Sequence, residues 1–187
     1  MKLGICFSVT TFIVNYIEIL RFNNTMTSKN TLMQSFCNDH AITTHGYSKW
    51  LVLSSTFFMG PCAYAYYYEL YAISVLLFIT SACSANHWRD PRFTSIQRRM
   101  DQLSAKTAFG IFFVNGIVYI RNTYYLVWGY SGLMALLYCY YMSHHLYGDH
   151  NVNWYKYHMG FHAFVAMQQY VVLMAMVDAN AKYILPL

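Results

Sequence analysis

WLVLSSTFFMGPCAYAYYYELYAISVLLFITSACSAN, residues 50 to 86, decides the fold: 37 residues in which Glu69 is the only charge. A helix rises ~1.5 Å per residue and a bilayer core is ~30 Å thick, so ~20 apolar residues make one crossing. This run is too long for one crossing and nearly long enough for two. A tight turn near Tyr66 to Glu69 is the economical division. Gly60-Pro61 is the competing break. It reads as a kink inside the first crossing, because proline removes a backbone donor and crowds the preceding turn.

Outward from this pair, similar stretches run from Leu3 to Leu20, Ser104 to Ile120, Tyr124 to Tyr141 and His158 to Val177. With Trp50 to Tyr66 and Leu70 to Asn86 they make about six spans. The expected fold is therefore all-α, a polytopic transmembrane helix bundle forming one domain over residues 1–187, with a polar and partly disordered loop at 23–47. Composition agrees: 57% of the 187 residues are hydrophobic and 10% charged, against ~25% charged in soluble domains. Lys2 followed by an apolar run resembles a signal peptide, but Glu18 and Arg21 follow it without a small-x-small site. It reads as a signal anchor.

Nine of the twelve Lys and Arg residues (Arg21, Lys29, Lys49, Arg89, Arg92, Arg98, Arg99, Lys106 and Lys156) fall in or beside the three longer loops on one side. Only Lys2, Arg121 and Lys182 fall on the other. The positive-inside rule puts the longer loops in the cytosol. There the acceptor-like Asn23-Asn24-Thr25 would go unglycosylated. The net charge of +5 is then accounted for by topology and anionic headgroups, with no nucleic-acid partner needed. Cys6, Cys37, Cys62, Cys83 and Cys139 form no Cys-x-x-Cys pair, which argues against a disulfide framework.

The chemistry concentrates in histidines. His158 and His162 stand four apart at the start of the last stretch, on one helix face, so two imidazoles can share a metal ion. His87 closes the third stretch and Asp101 precedes the fourth. If the spans alternate as counted, all four residues reach the same interface. Ionisable groups at a span's edge are costly and usually face inward with a partner. Three imidazoles with an open fourth position form a common catalytic zinc arrangement, beside which Asp101 would orient water or take its proton.

Ser81-Ala-Cys-Ser-Ala-Asn-His87, Arg98-Arg-Met-Asp101 and His158-Met-Gly-Phe-His162 together resemble the CREST superfamily. It includes the alkaline ceramidases, the progestin and adipoQ receptors and the hemolysin III-like proteins. The resemblance implies that His87, His158 and His162 hold zinc, that Asp101 and a serine contact the water, and that the substrate is a membrane lipid cleaved at an amide or ester. The chain departs from the family in having six expected spans rather than seven. It also has Cys83 four residues before the histidine, where the family has serine; Ser84 is three before.

Two further readings stand beside this one. In the first, the protein is a non-enzymatic membrane scaffold or receptor-like protein whose histidines only stabilise the bundle. In the second, eight histidines near one interface serve a di-iron lipid desaturase or hydroxylase, although only His158/His162 fits that spacing. His144, His145 and His150 fall in an expected loop and read as solvated interfacial residues. Cys37, His40 and His45 lack an evident fourth zinc ligand.

Overall fold

The structure is a computed structural model that describes residues 42, 43 and 45–180. The stretch from Leu3 to Leu20, the Asn23 acceptor, Cys37, His40 and nearly all of the polar loop lie outside the described residues. Among the described residues the chain is helical, with no strand. Helix α1 (His45–Ser55) passes through a 3-10 turn (Thr56–Phe58) into α2 (Met59–Tyr67). Then come α3 (Tyr71–Arg89), α4 (Ile96–Tyr119), α5 (Thr123–Gly148) and α6 (Trp154–Asp178). Because α1 and α2 form one bent rod, the described residues make five rods.

The bend has a local cause. Pro61 has no N–H to offer the carbonyl of Phe57, and its ring crowds that turn. The chain tightens to 3-10 over the residues just before it. The division between α2 and α3 falls where the sequence pointed. The N–H of Leu70 bonds the carbonyl of Ala65 at 2.9 Å, that of Glu69 bonds Tyr66 at 3.1 Å, and Glu69 has φ 62°. This is a Schellman ending with a left-handed residue that is not glycine. The same pattern closes α5: His150 has φ 55°, and Asn151 bonds back to Leu146 at 2.9 Å.

Helix α3 stops at Arg89 ahead of Asp90-Pro91, since a residue before proline is disfavoured in the helical region. Ser95 and Asn122 cap α4 and α5, their side chains accepting from the backbone N–H of Arg98 at 3.2 Å and Tyr124 at 2.9 Å. Two boundaries differ most from those expected. Helix α4 begins at Ile96 rather than Ser104, because the Ser95 cap starts it before the apolar run. Helix α5 continues to Gly148, so His144 and His145 lie on its last turns rather than in a loop.

Helix α6 is the hub, packing against α1, α2, α4 and α5, while α3 packs against α1, α2 and α4. One core gathers Cys62, Ala65, Leu70, Ile73, Leu77, Phe112, Val172, Leu173 and Met176; a smaller one at the opposite end joins Leu51, Trp88 and Trp154. By length and composition α6 can cross a membrane, with mean hydropathy 1.4 over its most apolar window. The other rods fall below that measure for visible reasons. The first is divided, α3 ends on Asn86, His87 and Arg89, the apolar part of α4 holds Lys106 and Asn115, and α5 carries seven tyrosines. The outward faces are nonetheless apolar: Val75, Phe78 and Ile79 on α3, Leu103 and Ile117 on α4, and Val127 and Met134 on α5 are all exposed.

Candidate functional site

Serines inside apolar helices have to find partners, and here they find them across the helix seams. On α1, Ser48, Ser54 and Ser55 are all buried. Ser48 donates to the Trp88 carbonyl, and Ser81 Oγ donates to the Ser55 carbonyl at 2.9 Å. Ser55 Oγ lies 2.9 Å from Ser84 Oγ. Small side chains bring α1 and α3 close and supply the hydrogen bonds that hold them there.

From that seam the polar contacts spread to the other rods. The Ser84 hydroxyl stands close enough to the Asp101 carboxylate to favour its charged form, linking α3 to α4. Ser54 Oγ is 2.9 Å from His162 Nδ1, joining α1 to α6. Ser143 Oγ is 3.3 Å from His158 Nδ1, joining α5 to α6. The His158 and His162 rings lie 4.8 Å apart between centroids. His87, in the last turn of α3, is 3% exposed. It packs on Trp88 at 4.7 Å, and Trp88 packs on His158 at 5.0 Å. His87, His144 and His162 are all within electrostatic reach of His158.

Asp101 stands on α4 ahead of the apolar run that starts at Ser104. Burial lifts its carboxyl to about 6, against the opposing pulls of the Ser84 hydroxyl and the Arg98 guanidinium. A carboxylic acid so poised changes charge near neutral pH, as a proton acceptor requires. Arg98 is held at the edge of the cluster, with Nη1 3.1 Å from the Phe93 carbonyl and its guanidinium over the Phe93 ring.

The five residues singled out from sequence, Ser84, His87, Asp101, His158 and His162, thus lie at one end of the bundle. Of Cys83 and Ser84, it is Ser84 whose side chain acts on Asp101, favouring its charged form. Ser54, Ser55 and Ser143 were missed. The available signal was their polarity within apolar runs at helical spacing from other inward residues. His145 instead pairs with Asp149 at 3.0 Å on an exposed surface.

With Nδ1 engaged by a serine, Nε2 is the nitrogen left to His158 and His162 for any ligand. Metal-binding histidines usually donate their other ring N–H to an outer acceptor that fixes the ring, and a serine hydroxyl can accept in the same way. The Nδ1 of His87 and Nε1 of Trp88 are buried without a partner. The donor types suit zinc, but the set is not closed. Among the described residues, no three His, Cys, Asp or Glu side chains are grouped tightly enough to hold a metal ion.

No family model, curated protein or solved structure matches this chain.

Proposed function

We propose that the chain is a polytopic membrane protein whose buried polar end is a CREST-like, zinc-dependent hydrolase site for a lipid amide or ester. The observation that carries the reading is the gathering at one end of the bundle of Ser54, Ser55, Ser84, His87, Asp101, Ser143, His158 and His162, which come from all the described rods. Buried polar groups cost free energy unless paired, and in a membrane they usually mark function. Two features support the membrane half. Helix α6 has the length and apolarity of a span, and broad exposed apolar faces like those on α3 are unusual on a soluble monomer.

In this reading His87, His158 and His162 would hold the metal, with Ser54 and Ser143 fixing the rings of the last two. When bound, zinc supplies Lewis acidity to the scissile carbonyl. Asp101 accepts the proton of the attacking water, and the Ser84 hydroxyl orients the carboxylate that receives it. The basic loops would face the cytosol.

The scaffold reading keeps one specific observation in its favour. The two histidines of α6 already have serine partners, and the three imidazoles stand short of a closed ligand set. Metal content and lipid hydrolysis by the purified full-length protein separate the two. A hydrolase contains about one zinc per chain and releases fatty acid from a ceramide-like or related acyl lipid. His162→Ala loses metal and activity together, whereas Asp101→Asn keeps the metal and loses turnover. Protein without zinc, or a His162→Ala variant with undiminished metal, leaves the scaffold.

A further inference from the structure

An open, groove-like cavity of about 550 Å³ lies between the last turns of α5 and the first of α6, and none of the serines, histidines or Asp101 of the polar end lines it. Its two halves differ in chemistry. Met142 and Leu146 form an apolar wall on α5, while Asn151, Asn153, Lys156 and Tyr157 supply donors from the connecting turn and α6. No acidic side chain lines it. Lys156 is exposed and makes no ion pair among the described residues. The Asn151 side-chain oxygen accepts from the backbone N–H of Asn153 at 3.0 Å, so its amide hydrogens remain free for the cavity. The first turn of α6 carries no acidic residue, and Asn153 makes no side-chain cap, so the positive end of that helix adds to the lysine's field.

We infer that this cavity binds an anionic phospholipid, with the phosphate at Lys156 and the asparagine amides and an acyl chain along Met142 and Leu146. Charge selects the anion. The apolar wall selects a lipid over a free anion, because it continues onto the outward face of α5 at Tyr138 and Tyr141, both exposed. Tyr157 stacks edge-on with Tyr138 at 6.2 Å, placing a phenol between the polar and apolar halves, where amphipathic rings favour a membrane interface. The inference rests on the membrane half of the proposed function and not on the hydrolase.

The test is a native mass-spectrometric titration of the full-length, delipidated protein with phosphatidylglycerol and with phosphatidylcholine of the same acyl chains. Lys156→Gln removes the cation from an exposed position, and Arg121→Gln removes one remote in sequence and exposed. One lysine near a lipid surface contributes about fivefold in affinity. Phosphatidylglycerol should therefore bind Lys156→Gln about fivefold more weakly than wild type, with Arg121→Gln unchanged and phosphatidylcholine weak throughout. Equal binding of the two lipids, or no effect of Lys156→Gln, overturns the site. Displacement of the lipid by inorganic phosphate at matching concentration overturns the lipid in favour of a free anion. Protein that binds neither lipid, yet leaves membranes only in detergent, refutes the cavity and leaves the membrane reading standing.

Discussion

Ser54→Ala tests whether the polar end is held together by its hydrogen bonds. Ser54 is fully buried, His162 is 5% exposed, and their bond spans 2.9 Å between α1 and α6. The Ser54 hydroxyl also lies 2.9 Å from the Leu51 carbonyl. That carbonyl lies within α1, so its own backbone bond survives the substitution. What is lost is the partner of the His162 Nδ1. Leaving a buried polar atom unpaired costs ~1–3 kcal/mol in soluble proteins, while interhelical bonds in a membrane average ~0.6 and reach ~1.7. The expectation is therefore about 1–1.5 kcal/mol, up to roughly tenfold in the folding equilibrium. The His162 ring packs on Phe58 at 5.4 Å between centroids, so His162→Phe keeps an aromatic ring there. Replacing both partners by apolar groups can be nearly neutral, and Ser54→Ala combined with His162→Phe should recover most of the loss. The assay is reversible unfolding of the purified protein in mixed micelles, run as a double-mutant cycle. A Ser54→Ala cost below ~0.3 kcal/mol, or strictly additive mutations, would refute the argument, because contacting partners should couple.

Hydrolysis, if it depends on Asp101 as carboxylate, should fall as the pH drops through about 6. Ser84→Ala removes a bond that favours the charged form and should move that limb to higher pH; Arg98→Gln should move it the same way by less. A pH–rate profile reads both, and a limb that stays put removes Asp101 from proton transfer. At Gly132, an added Cβ would meet the Gln168 side-chain amide and stand 3.1 Å from Met167 Cε. Gly132→Val should therefore loosen α5 from α6 and cost ~1–3 kcal/mol by overpacking in the same unfolding assay, with Gly132→Ala milder because Gln168 is flexible. Cys37 should resist an impermeant thiol reagent added outside intact cells and react after permeabilisation, and ready labelling from outside would reverse the orientation.

Helical class and the main divisions were legible in the sequence because both follow from local physics. Glu69 interrupts an apolar run too long for one helix, and the chain turns there. Pro61 cannot complete a helical bond, and the rod bends just before it. Ser84, His87, Asp101, His158 and His162 could be grouped in advance because alternating rods return to the same end, so parity alone assigns their level. Parity says nothing about azimuth, however. Which serine acts on Asp101, that Ser54 and Ser143 each take a histidine nitrogen, and that Trp88 packs on both His87 and His158 depend on how each rod is rotated about its axis. Rotation is set by packing between residues far apart in the chain, such as Ser54 against His162, and no local pattern carries it. The early start of α4 and the extension of α5 were obscured differently. Their ends are polar, and hydropathy marks the apolar run rather than the helix, which Ser95 and the turn at His150 delimit.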